Sequence, residues 1–322
     1  MVALAIAIGA PGIGSADAQP PRSIDVVVDV EGSDRHAIVV NAVADGPRRP
    51  VVIVLHGGMG SAARMRASSG FDILAAREGF IAVYPDGTEF GAGRRAWNTG
   101  YLLRRQVRDA DDIAFFDALI AVLVRDHGAD PERIFMTGGS NGGMMTFVYG
   151  VHRPEKLAAI APVVATMFAF DPVPAVPLPI LVINGARDDE VPLEGGMSRN
   201  PLVRGAQAVP FKPVDEVVAF WVRANKSLPD GATVVDGTVT TTTHPAGPGG
   251  AVTESVVDSA GGHGWPGTAA RRDGNEPIGS FRGAERVWRF FKDHGRPAGP
   301  APGGKSGAGD TLGVTGPSPD AP

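Results

Sequence analysis

At 322 residues, with 43% hydrophobic and 20% charged side chains, the chain has an ordinary globular composition and can bury one large core or two small ones. A net charge of -5, with no Lys/Arg run longer than a pair, excludes the basic footprint of a nucleic-acid binder. Cysteine is absent, which excludes disulfides, thiolate metal sites and cysteine nucleophiles.

The chain begins with an apolar run over residues 2–13, followed by Ala16-Asp17-Ala18. That pattern predicts a signal peptide over residues 1–18, with a small-x-small cleavage site and a core too short to span a bilayer. A secreted or periplasmic location follows; the other reading is a disordered apolar leader. Residues 23–30 and 36–42 alternate as two antiparallel strands around Glu31-Gly32-Ser33-Asp34, at a sheet edge. Residues 50–55 form an apolar run too short for a helix, which suits a strand buried on both faces. It leads into His56-Gly57-Gly58-Met59-Gly60. Residues 62–78 read as one helix, 80–84 as a buried strand ending at Pro85-Asp86-Gly87, and 91–105 as loop. Residues 111–126 carry apolar side chains at helical spacing with acids at the start. Strands follow at 157–164 and 178–183, then a Gly/Pro-rich loop and an amphipathic helix over 214–224. Strands at 232–242 and 251–258 and a last helix over 283–294 complete the pattern. This alternation predicts an α/β domain over residues 19–294, a mostly parallel sheet with helices on both faces. Residues 295–322, rich in Gly, Pro, Ala and Ser, read as a disordered tail.

Between the strand that begins at Arg133 and the helix-compatible run 144–151 lies Gly138-Gly139-Ser140-Asn141-Gly142. Glycine two residues either side of a serine allows strand and helix to approach while a tight turn presents the hydroxyl, the pattern of a nucleophile elbow. With 44 glycines in the chain, the spacing alone is weak; no other serine has both glycines, and the strand-turn-helix context is what carries it.

A serine hydroxyl needs a base, and in such folds the acid and then the histidine come later in the chain. His152, His244, His263 and His294 follow the elbow. His263 alone lies in a glycine-rich loop after a strand, Gly261-Gly262-His263-Gly264-Trp265-Pro266-Gly267, and is the expected base. Asp188 is favoured as its orienting acid because it follows a strand's carboxyl end by a short turn, with Asp189 and Glu190 as rivals. The expected oxyanion donors are the amides of Asn141 and of Gly58 or Met59. His56 is expected to brace the loop rather than to react. Gly58-Met-Gly60-Ser-Ala-Ala63 also fits a dinucleotide fingerprint with Asp86 as ribose partner, a remote oxidoreductase reading that leaves Ser140, Asp188 and His263 unexplained. Asp109, Asp111 and Asp112 read as helix N-terminal acids rather than metal ligands.

On these residues the chain resembles the secreted polyhydroxybutyrate depolymerase/feruloyl esterase family of α/β hydrolases. The resemblance runs from about residue 51 to 292. It rests on Leu55-His-Gly-Gly, Val83-Tyr-Pro-Asp-Gly87, Trp97-Asn98, Asp111-Asp112-Ile-Ala-Phe115, Gly138 to Met145, Asp188 to Pro192, Phe220-Trp-Val222 and Gly262-His-Gly-Trp-Pro-Gly267. It implies the α/β-hydrolase fold and carboxylic-ester hydrolysis through an acyl-enzyme, with Ser140, Asp188 and His263 as triad and no metal or organic cofactor. Two departures bear on the acyl pocket: Asn184 stands where the family has histidine, and residues 195–212 form a longer segment. The resemblance leaves feruloyl or acetylxylan esters as the alternative to short hydroxyacyl oligomers. Trp265 and Trp97 are expected to wall the substrate site. No linker or surface-binding domain is visible after the last helix, so attack on crystalline polymer is expected to be slow. The expected partners are small or oligomeric ester substrates, with neither nucleic acid nor membrane in the mature form.

Overall fold

A computed structural model describes residues 22–268 and 278–295. The leader at 1–18 and the tail beyond residue 295 lie outside the described residues. The elements in chain order are β1 (Ser23–Val30), β2 (Ser33–Val40), β3 (Arg49–Leu55), α1 (Ala62–Ser69), α2 (Phe71–Glu78), β4 (Ile81–Pro85), the two-residue β5 (Thr88–Glu89) and β6 (Arg95–Ala96), α3 (Arg104–Val107) and α4 (Asp112–Asp126). Then come β7 (Ala129–Gly139), α5 (Asn141–His152), β8 (Ala159–Val163), β9 (Ile180–Gly185), α6 (Pro201–Ala206), α7 (Val214–Ala224), β10 (Ala232–Asp236), β11 (Val239–His244), β12 (Thr253–Asp258) and α8 (Gly283–His294).

A ten-stranded sheet has the order β1-β2-β4-β3-β7-β8-β9-β12-β11-β10. From β4 to β12 neighbouring strands run parallel, and an antiparallel hairpin closes each end. The continuous apolar runs of the central strands are what burial on both faces demands. In β3, Val51, Ile53 and Leu55 enter one apolar cluster with α4, α5 and α7. Val52 and Val54, on the alternate face, join a second cluster with α1, α2 and α8. In that second layer Phe135 stacks on Phe291 at 4.7 Å between centroids, and Trp288 packs 4.3 Å from Phe80. The Trp288 indole N–H donates to Glu78 at 3.0 Å, and Arg77 grips Glu285 through two bonds of 2.9 and 2.8 Å.

Four segments differ from the sequence expectation. The helix expected over 62–78 breaks at Gly70, whose φ of 82° makes it both the C-cap of α1 and the entry to α2; a left-handed residue stops a helix without strain only if it lacks Cβ. The strand expected over 232–242 is a hairpin, β10 and β11, turning at Gly237 with φ 58°. The loop expected over 91–105 contains β6 and the start of α3, and the Gly/Pro-rich stretch before α7 contains α6. Asp111 caps α4 by accepting from the Ala114 amide at 2.8 Å, and Asp112 takes Arg35 at 2.7 Å. Both acids are thereby accounted for at a helix start.

Candidate active site

β7 ends at the centre of the sheet, and the turn to α5 places Ser140 at φ 55°, ψ -122°. A non-glycine residue at positive φ is strained, and such strain persists where the surroundings impose it. Here they do. The Ser140 amide donates to Val163 O at 3.0 Å and its carbonyl accepts from Met144 at 2.8 Å. The flanking glycines follow from space: a Cβ on Gly138 would lie 2.7 Å from Gly142 backbone and 2.8 Å from Leu55 Cβ. One on Gly142 would meet His56 O at 2.5 Å and Leu55 O at 2.7 Å.

The loop after β3 abuts this turn. A Cβ on Gly57 would touch Ser140 Cβ at 3.4 Å, and one on Gly58 would touch Asn141 Cβ at 3.6 Å. Gly58 and Met59 therefore stand across from the first residue of α5, whose amide has no intrahelical acceptor. The geometry is locked from behind. Trp97 Nε1 donates to His56 O at 2.8 Å, the Trp97 amide donates to Asn141 Oδ1 at 2.8 Å, and Asn141 Nδ2 returns to Trp97 O at 3.2 Å. His56 accepts from the Gly87 amide through Nε2 at 2.9 Å, and its Nδ1 lies 2.8 Å from Gly57 O. Only a neutral ring protonated on Nδ1 satisfies both neighbours, and burial lowers its pKa in the same sense. His56 is a brace.

β9 and β12 run side by side, and the turns that follow them are zipped together. Ala186 N donates to Asp258 O at 2.9 Å and Arg187 N to Gly261 O at 2.8 Å. This brings Asp188 Oδ2 to 2.8 Å from His263 Nδ1, with Asp188 1% and His263 5% exposed. The other carboxyl oxygen, Oδ1, accepts from the amides of Glu190 at 2.9 Å and Val191 at 2.8 Å. Of the three candidate acids, Asp188 holds the imidazole at Nδ1. Asp189 points outward to Arg199 at 3.2 Å. Glu190 reaches the opposite edge of the ring, with Oε2 3.3 Å from His263 Nε2, a contact that sequence reasoning missed because its side-chain direction depends on the turn.

Ser140, Asn141, Gly58, Met59, Glu190 and His263 share a cavity of about 490 Å³. Its apolar wall comes from Leu102, Leu103 and Met144, and from Leu202, Val203 and Ala206 of the longer segment, with the polar Asn200 beside them. The signal for that wall was legible: Asn200 followed by Pro201 is a helix start, and Asn200 Oδ1 accepts from Leu202 N at 2.9 Å. The tryptophan wall expected from sequence is corrected. Trp97 is fully buried behind the elbow, and Trp265 is 8% exposed, with Nε1 donating to Ser69 O at 3.2 Å. Neither lines the cavity. The departure at Asn184 is internal as well: it is fully buried, and its Nδ2 donates to Ala165 O at 3.1 Å.

The dinucleotide reading fails at α1. Its N-terminal amides already meet Asp86, which accepts from Ala62 N at 2.7 Å, and Ser61, which accepts from Arg64 N at 3.3 Å. A carboxylate there opposes a pyrophosphate.

Residues 35–219, more than half of the chain, match the family described as Esterase PHB depolymerase. Feruloyl esterase B of Piromyces equi is 31% identical over 186 residues, 55% of this chain and 32% of that protein. The putative esterase NocK of Nocardia uniformis subsp. tsuyamanensis is 29% identical over 233 residues, 68% of this chain and 66% of that protein. The chain thus spans about a third of the first relative's length and about two thirds of the second's. Among solved structures, the acetyl xylan esterase from Aspergillus awamori superposes with a TM-score of 0.52 at 14% identity, covering 80% of this chain and 94% of that one. That likeness concerns the fold.

Proposed function

The chain belongs to the Esterase PHB depolymerase family, and from that premise we propose that it is a serine carboxylic-ester hydrolase with Ser140, His263 and Asp188 as its triad. The observation that carries this reading is the 2.8 Å bond from Asp188 to His263 Nδ1 beside a serine held at positive φ on the wall of the same cavity. Ser140 Oγ attacks the ester carbonyl carbon while His263 Nε2 takes the hydroxyl proton. Negative charge gathers on the carbonyl oxygen, toward the amides of Asn141 and of Gly58 or Met59, each such donor contributing about a hundredfold or more in rate. Collapse breaks the bond to the alcohol, which leaves with the proton from His263. Water then attacks the acyl-serine, with His263 as base, and the acid is released. Asp188 keeps the proton of the resting imidazole on Nδ1 and stabilises the imidazolium.

A cavity of about 490 Å³ with a leucine- and valine-lined wall suits short acyl groups and soluble hydroxyacyl oligomers. The names of the relatives support a second reading, feruloyl or acetylxylan esters. Residues 19–294 serve as the catalytic domain behind a signal peptide over 1–18, with a secreted or periplasmic location, which fractionation and N-terminal sequencing of the expressed protein test. Among the described residues no helix is long and apolar enough to cross a membrane. The deciding experiment is turnover of p-nitrophenyl acetate and butyrate by the parent and by Ser140→Ala. The parent turns over and the variant, with unchanged circular dichroism, does not. Parent-like rates in a folded Ser140→Ala protein refute the assignment. Comparing hydroxybutyrate oligomers, methyl ferulate and polymer film then separates the substrate readings.

A further inference from the structure

We propose that Met144 is a partition that restricts the site to short acyl groups, and that the aromatic-lined chamber behind it fits the far end of a longer unbranched acyl chain. The inference rests on the serine-esterase reading above and deepens it to a substrate class. Tyr101, Phe147 and Phe168 line a cavity of about 360 Å³ next to the one that holds Ser140. Among the described lining residues Met144 alone belongs to both cavities. It is only 2% exposed, so protein encloses it where the two adjoin. Met144 lies in the first turn of α5, and its amide donates to Ser140 O at 2.8 Å. One such turn rises about 6 Å, a span of a few carbons. A butyryl group on Ser140 ends short of the methionine, and an octanoyl group runs into it.

The rest of the wall is backbone and is held in place. Tyr101 lines the second chamber while Leu102 and Leu103 line the first, so the chain passes between them at this point. It is pinned there: Leu103 N donates to Ala206 O at 3.0 Å, and Ala208 N to Tyr101 O at 2.9 Å. Met144, unbranched and apolar, is the part of the wall that a substitution removes without moving backbone. The interior of the second chamber suits a hydrocarbon tail. Tyr101 and Phe168 lie 5.2 Å apart between ring centroids. The polar side chains that reach it are engaged elsewhere, Asn98 Nδ2 donating to Ala110 O at 2.9 Å and Thr166 Oγ1 to Lys212 O at 2.7 Å. The tail belongs to the acyl half of the substrate. His263 delivers its proton to the leaving alcohol, which must therefore face the imidazole. The second chamber shares no described lining residue with the turns after β9 and β12 that carry Asp188 and His263.

The test measures kcat/KM on p-nitrophenyl butyrate, hexanoate and octanoate, which share a leaving group and differ in acyl length. Ethyl and octyl acetate, which share an acyl group, probe the alcohol side. In the parent, kcat/KM is expected to fall by on the order of tenfold or more from butyrate to octanoate, because the longer chain has to displace packed side chains. In Met144→Ala the octanoate-to-butyrate ratio rises by about tenfold or more, each newly buried methylene contributing roughly fourfold. Met144→Val, the smaller cut, moves the ratio the same way by less. Val148 lines the second chamber and not the first, so adding Val148→Phe to Met144→Ala fills that chamber and brings the ratio back toward the parent value. Loss of folded protein lowers both esters alike and leaves the ratio untouched. The inference is overturned by a parent that cleaves octanoate as fast as butyrate, or by a ratio that neither Met144→Ala nor Met144→Val raises. It is equally overturned by a gain on octyl acetate that matches the gain on octanoate, or by a ratio that stays high with Val148→Phe. With the parent active on p-nitrophenyl butyrate, these results overturn the inference alone; a parent that cleaves none of the esters overturns the esterase reading as well.

Discussion

Replacing Asp188 by asparagine preserves the shape of the acid and reverses the polarity of one hydrogen bond. Two backbone donors pin one terminal atom of this side chain, Glu190 N at 2.9 Å and Val191 N at 2.8 Å. The amide oxygen must occupy that position, because an NH2 group there would confront two N–H groups. The NH2 is then forced against His263 Nδ1, 2.8 Å away, so Nδ1 becomes an acceptor and the ring proton moves to Nε2. A base already protonated on Nε2 cannot take the serine proton. We expect kcat to fall by roughly 10³ to 10⁴, equivalent to about 4 to 5.5 kcal/mol of transition-state stabilisation. Stability should change little, by about 1 to 2 kcal/mol, since every hydrogen-bond position remains filled. The assay is kcat on p-nitrophenyl butyrate beside a urea midpoint, with Asp189→Asn as the neighbouring control losing less than about tenfold. An Asp188→Asn protein keeping more than about a tenth of parental kcat would refute the tautomer argument.

Gly142→Ala puts a methyl group 2.5 Å from His56 O and 2.7 Å from Leu55 O; backbone cannot yield cheaply there, so we expect a Tm lower by several degrees and loss of turnover, both read in one thermal-shift and activity series. A Tm equal to the parent's would show that the strand-helix approach is looser than described. Burial holds the His56 imidazole below its usual 6.5, so the unfolded chain takes up a proton that the folded chain resists. That contribution is whole above about pH 6.5 and drains as pH falls toward the lowered folded value. Urea midpoints at about pH 7.5 and 5.5 should therefore fall more steeply in the parent than in His56→Gln; equal slopes count against the brace.

The sequence revealed the sheet and the order of the three candidate catalytic residues because both depend on local patterns. Continuous valine and isoleucine runs mark buried parallel strands, and the glycines around Ser140 answer to contacts within one strand-turn-helix unit. Asp188 could be favoured over its neighbours because the carboxyl end of a strand is a fixed landmark. What stayed hidden was direction and distance. Trp265 sits two residues after the candidate base His263, and Trp97 belongs to the Trp97-Asn98 pair that the resemblance singled out, yet both indoles point inward, since each N–H found a carbonyl in the interior. Glu190 was legible as a rival acid and not as a neighbour of Nε2. The break at Gly70 and the hairpin at Gly237 both lie in runs whose composition suits one continuous element, so only the positive φ reveals them.

The aromatic layer under the sheet has a consequence for how the protein is made. Trp288 and the Glu78 carboxylate that it binds are 210 residues apart in the chain. At about 5 to 20 residues per second, the ribosome needs roughly ten to forty seconds to supply the second after the first. During that interval Phe80, and Phe135 once it has been made, lack the partners on α8 that will cover them, and His263 is made only near its end. The aromatic layer on this face of the sheet is therefore completed only when the final helix has been made.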